Sequence, residues 1–131
     1  MITMHFGDHV TLDGYGGDPN FLNSRERVLS CLTTLREELD MHALTEPVIV
    51  EAFDNEIKDP GGWSGFVIIA ESHIALHTFP KRRFVSADVY TCKNGLDVNI
   101  IVDFFKKTFA LEEVETHFIE RGQHYPQHNL I

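Results

Sequence analysis

Gly65-Phe66-Val67-Ile68-Ile69-Ala70-Glu71-Ser72-His73-Ile74-Ala75-Leu76-His77-Thr78-Phe79-Pro80 is the stretch that decides the architecture of this chain. Gly65 to Ala70 is short and largely apolar, which reads as a strand, and His73 to Phe79 keeps strand character up to Pro80. Between them there is room for a turn and none for a crossover helix, so the two strands pair antiparallel. Downstream, Phe84-Val85-Ser86-Ala87-Asp88-Val89-Tyr90 alternates and predicts the next strand. Upstream, Pro47 to Phe53 is β-branched and short, another strand, and Asp54 to Gly62 carries turn formers and reads as a loop that ends at Trp63.

Further out, His9 to Tyr15 predicts a strand running into the Gly14, Gly16 and Gly17 region, and Val114 to Glu120 predicts a closing one. Two helices separate these groups. Asn23 with Glu26 three residues on resembles a capping box, and Val28, Leu32, Leu35 and Leu39 recur at helical spacing, predicting a helix from about Ser24 to His42. Asn94 or Asp97 caps a second helix through Phe109, with Ile101, Phe104 or Phe105, and Thr108 inward. The expected class is α+β: an antiparallel sheet with two main helices on one face.

The chain has 131 residues, enough for one domain with its own core, and no disulfide framework is expected from Cys31 and Cys92. Cys31 belongs to the inner side of the first helix and reads as a small core residue. A net charge of -9 argues against nucleic acid. Lys81-Arg82-Arg83 is the single basic cluster and reads as a solvated turn. Neither a leader segment nor an apolar run long enough to span a bilayer is evident, so a cytoplasmic protein without a membrane partner is expected.

The hairpin also gathers reactive groups. A serine hydroxyl can attack the carbonyl of the residue before it, converting the Glu71–Ser72 peptide bond to an ester. β-Elimination then leaves dehydroalanine, which hydrolyses to a pyruvoyl group. A metal site is the chemical rival, because Glu71, His73 and His77 share one side of a strand. Yet His73 and His77 would stand about 13 Å apart, too far to share one ion. No metal is expected. Ser72 and His77 differ by an odd number, so a bend at Glu71-Ser72 is needed to bring them together.

Glu71-Ser72-His73, a histidine five residues after Ser72 and a cysteine twenty after it resemble the small prokaryotic S-adenosylmethionine decarboxylase family. The likeness extends from Gly7-Asp8-His9 to Glu120-Arg121-Gly122. It implies an α+β sandwich and self-cleavage into residues 1–71 and 72–131. It also implies a pyruvoyl cofactor from Ser72, a role in polyamine (spermidine) biosynthesis, and a homodimer of cleaved protomers acting on a small molecule. By position, Ser72 is the processing nucleophile, His77 assists elimination, Ser64 polarises the processing carbonyl, and Cys92 returns a proton to the substrate α-carbon. Asp13 falls where the family places an acidic active-site residue.

Substrate positions depart from the family. His77-Thr78-Phe79-Pro80-Lys81 stands where members read His-Thr-Trp-Pro-Glu, so Phe79 offers an aromatic surface while Lys81 cannot accept hydrogen bonds from a ribose diol. The His-Arg-Phe element is replaced by Phe53-Asp54-Asn55-Glu56-Ile57-Lys58, where Phe53 is the candidate for stacking. S-Adenosylmethionine remains the family default. The alternatives are arginine or ornithine, paired through Asp54 or Glu56, and an unprocessed, inactive binding or regulatory homologue.

Overall fold

The computed structural model describes residues 5–55 and 57–131. Its elements run β1 (Gly7–Tyr15), α1 (Pro19–Leu22), α2 (Arg25–Glu38), β2 (Val48–Ala52), β3 (Gly62–Ile69), β4 (Ser72–Phe79), β5 (Phe84–Thr91), α3 (Val98–Phe109) and β6 (Glu113–Arg121), with a 3-10 turn over Pro80–Arg82. All the strands form one antiparallel sheet in the order β2-β3-β4-β5-β1-β6. The antiparallel α+β class expected from the hairpin is the one observed.

Alternation divides the sheet into two faces. Val10, Leu12, Val67, Ile69, Ile74, Leu76, Val85, Ala87 and Val89 point to one face and are buried beneath α2 and α3. α2 contributes Val28, Cys31, Leu32 and Leu35, and α3 contributes Ile101, Phe105 and Phe109. Burial pushes the Cys31 thiol far above its usual range, which keeps it protonated and inert. Phe105 is fully buried, and its truncation to alanine is expected to cost about 3–5 kcal/mol.

Element boundaries moved where local hydrogen bonding overrode the sequence pattern. Ser24, not Asn23, caps α2, accepting from Arg27 N–H at 3.2 Å, because Asn23 is occupied as the C-cap of the short α1. α1 itself was not expected; Asp18 caps it ahead of Pro19. α2 stops at Glu38 rather than His42, since Asp40 takes a left-handed conformation (φ 56°) and Arg36 bonds the Met41 carbonyl. Thr108 is half-buried, and Phe109 holds the inward position at the end of α3.

β3 begins at Gly62, three residues ahead of the expected start, and so takes in Trp63 and Ser64. Gly62 has φ 152° and lies against the Thr78 carbonyl, where a side chain would collide with backbone. Trp63 is fixed from both ends: its backbone N–H donates to Thr78 Oγ1 at 3.0 Å, and its indole N–H donates to the Asn23 carbonyl at 3.0 Å. These bonds hold the next residue, Ser64, in a defined place on the open face.

Candidate active site

The face of the sheet away from the helices carries the polar side chains. Because strand residues in register share a face, Asp13, Ser86, His77, Ser64 and Val50 form one row across five strands. Within it, Ser64 Oγ and His77 Nδ1 are joined by a hydrogen bond of 2.8 Å. Asp13 and His77 line one depression of about 330 Å³ with His9, Thr11, Ser86 and Asp88. On the other side of His77, a hollow of about 490 Å³ is lined by Val48, Val50, Ser64, Phe66, Ile68 and His73 among others.

Ser72 lies elsewhere. It opens β4 directly after the turn at Ala70-Glu71 and pairs with Ile69 and Thr91, five rungs from the Ser64–His77 rung. At about 3.3 Å per residue the two are roughly 16–17 Å apart along the strand. The expected bend at Glu71-Ser72 is present as a turn, yet β4 is regular from His73 onward. The two residues stay separated within one chain.

Three features set the Glu71–Ser72 link apart. Ser72 has φ 152°, a region that residues with a side chain avoid, at a cost of about 1–3 kcal/mol. The Glu71 carbonyl accepts a hydrogen bond of 2.7 Å from the Cys92 N–H. A donor there is directed at the oxygen that would gain charge if the Ser72 hydroxyl attacked. Among the described residues Glu71 Oε2 is buried without a hydrogen-bond partner, an arrangement native structures seldom tolerate. Cys92 itself is exposed beside this turn. Its loop is anchored by buried Asp8, whose Oδ2 accepts from Gly95 N–H at 2.9 Å and Leu96 N–H at 3.3 Å.

The remaining sequence candidates lie toward the opposite end of β4. Phe79 borders a cavity of about 650 Å³ with Tyr15, Phe84, Arg82, Asn55, Lys58 and Asp59. Tyr15, Phe84 and Phe79 form a row of rings with centroid separations of 5.4 and 5.5 Å. Phe53 is 80% exposed on the loop after β2. Asp54 is engaged by Lys81, with Oδ2 3.8 Å from Nζ, so the cation that departs from the family pattern meets an acid of the replaced loop. Glu56 lies outside the described residues.

Sequence reasoning assigned no role to His9, Asp88 or Arg121. In the sheet they join His73 in a chain across four neighbouring strands. Arg121 donates to His9 Nδ1 at 2.9 Å, and His9 Nε2 and His73 Nε2 approach the same Asp88 oxygen at 2.9 and 2.7 Å. Among the described residues this trio has metal-ligand spacing, with ligand atoms within 4.8 Å of one another. A ligating histidine, however, needs an acceptor behind its other nitrogen, and Arg121 is a donor only. That donor puts the His9 proton on Nε2, facing Asp88, which makes a hydrogen-bonded network. The signal available in the sequence was Asp88 at an open-face position of an alternating strand.

A six-stranded antiparallel sheet with one helix-covered face defines an α+β protein, with a strained serine at a hairpin turn beside a cysteine. Comparison makes this specific. The family model described as S-adenosylmethionine decarboxylase matches residues 8–122. The S-adenosylmethionine decarboxylase proenzyme of Clostridium botulinum is 32% identical over 117 residues, covering 89% of this chain and 95% of that protein. The proenzyme of Pyrococcus horikoshii is 30% identical over 116 residues, covering 88% and 78%. The crystal structure of the adenosylmethionine decarboxylase of Aquifex aeolicus superposes with a TM-score of 0.77 at 23% identity, covering 95% of this chain and 98% of that one. This chain belongs to the S-adenosylmethionine decarboxylase family. None of its described helices is long and apolar enough to cross a membrane.

Proposed function

We propose that this protein is a self-processing, pyruvoyl-dependent decarboxylase of S-adenosylmethionine, cleaved between Glu71 and Ser72 and acting in the cytoplasm in polyamine biosynthesis. The observation that carries the reading is the positive φ of Ser72, next to a Glu71 carbonyl already bonded to Cys92 N–H. In the first step Ser72 Oγ attacks the Glu71 carbonyl carbon; the C–N bond breaks, nitrogen takes a proton, and an ester remains. Loss of the Ser72 α-proton then expels the Glu71 carboxylate and leaves dehydroalanine. Water replaces its nitrogen, releasing ammonia and leaving the carbonyl group on residue 72. The residues present fit such a group: the serine supplies its carbons, and the flanking turn gives a new chain end room to leave the strand.

Once formed, the group supplies an electron sink for the pair left behind when CO2 departs. Cys92, exposed next to residue 72, is the proton donor to the substrate α-carbon in this reading. His77 assists elimination with Ser64 holding its ring. The row of Tyr15, Phe84 and Phe79 offers π surface to a flat base, and Asp13 an acidic group in the neighbouring depression.

The proposal includes a homodimer of cleaved protomers. Separation of Ser72 from Ser64 and His77 in one chain supports a site completed by a second copy. The open face supports it too, with Val50, Phe66, Ile68 and Ile119 exposed on it. Asp54, engaged by Lys81, is a poor counter-ion for a basic amino acid. Release of labelled CO2 from carboxyl-labelled S-adenosylmethionine, arginine and ornithine tests the assignment. Release from the first supports it, release only from the others reassigns the substrate, and release from none overturns the enzyme reading.

A further inference from the structure

The network of Arg121, His9, Asp88 and His73 ends one residue from the link that is proposed to break. His73 follows Ser72 directly, and its ring is tied to Asp88 at 2.7 Å. On the other side of Ser72 the Glu71 carbonyl is tied to Cys92 N–H at 2.7 Å. Rotation about the Ser72 N–Cα bond, the motion that would relax φ from 152°, must shift one of these two neighbours. Asp88 does not give easily. Its Oδ2 is shared with His9 at 2.9 Å, and His9 is held from behind by Arg121 at 2.9 Å. The Tyr90 ring lies against both imidazoles, with centroids 5.0 Å from His9 and 5.7 Å from His73, and the Arg121 guanidinium sits over that ring at 4.9 Å.

We propose that Asp88, buttressed by His9 and Arg121, is a positioning residue for self-cleavage: it clamps His73 and so keeps Ser72 in the strained conformation from which its hydroxyl attacks the Glu71 carbonyl. The inference rests on the self-processing reading and adds to it a set of residues that touch none of the reacting atoms. Releasing the clamp lets Ser72 relax toward ordinary strand geometry, and the intact amide persists. Ester formation is the step that slows.

The test is the first-order rate at which freshly synthesised full-length chain splits, followed by intact mass, in the wild type, Asp88→Ala, His73→Ala and the double variant. Each single change is expected to slow cleavage about tenfold, equivalent to about 1.4 kcal/mol of barrier. The double variant should be no slower than either, because both remove the same contact. The uncleaved variants should yield no fragment with hydroxylamine, which cuts an ester and spares the amide. Melting of each variant in a Ser72→Ala background, where every chain is intact, separates this effect from lost stability. Where Asp88→Ala fails to fold there, His73→Phe, which fills the space of the ring and cannot bond Asp88, decides: slowed cleavage supports the clamp and wild-type cleavage overturns it. Wild-type rates in Asp88→Ala, or singles whose effects multiply in the double variant, would also overturn it. An uncleaved wild type would instead remove the self-processing reading itself.

Discussion

The two ends of β4 are built to opposite specifications. At its start, Ser72 is strained and half-buried, next to a turn, with an exposed cysteine beside it and a buried carboxylate oxygen that has no partner among the described residues. Toward its end, Ser64 and His77 sit in an unstrained rung of the ladder, joined by a 2.8 Å hydrogen bond and flanked by hollows that open onto one sheet face. In the proposed reading, strain suits the bond that breaks, and a regular rung suits a proton carrier that must hold one orientation. The strand between them keeps the two ends apart.

The sharpest way to break this comparison is Ser72→Ala. Cleavage should disappear and CO2 release should fall to background, since the strained end then has no nucleophile. Next in size, His77→Ala should slow cleavage by about 10²–10⁴-fold, the range for a positioned acid or base. The arrested chains should hold an ester that hydroxylamine cuts. Co-expression of these two variants sharpens the point. If the ends meet across two chains, the His77→Ala chain, which keeps Ser72, should split when paired with the Ser72→Ala chain, which keeps His77. No splitting of the mixture would place the two ends in one chain after all.

Ser64→Ala should have a smaller effect, about tenfold on cleavage, because it loosens the His77 ring without removing it. The smallest change is expected at Lys81→Ala. Lys81 is largely solvent-exposed, Asp54 about half so, and the two are 3.8 Å apart. Thermal melting should move by less than about 1 kcal/mol in stability, as for other exposed ion pairs.

The sheet was legible in the sequence because its strands alternate cleanly and the connections between β3, β4 and β5 are too short for anything but antiparallel neighbours. Four-residue α1 was not, being too short to show a period. Gly61-Gly62 read as loop, although ladder pairing with Ala52 and Val50 carries Gly62 and Ser64 into β3. Site residues followed the same division. The resemblance to the family's Glu-Ser-His motif and its spacings singled out Ser72, His77 and Cys92, and the odd interval between Ser72 and His77 already posed the separation seen in the sheet. The contacts of His9, Asp88 and Arg121 with His73 required the strand order β4-β5-β1-β6, which no local pattern encodes. The engagement of Asp54 by Lys81 likewise depends on how the loop after β2 meets the turn after β4.

The claim on which the rest depends is that the strained link before Ser72 breaks. Intact mass of the purified protein under denaturing conditions tests it directly. The expected result is two chains, residues 1–71 and 72–131, the second lighter than a serine-initiated fragment by the mass of ammonia and without a free α-amino group. A single chain carrying all 131 residues, unchanged on prolonged incubation, would contradict it.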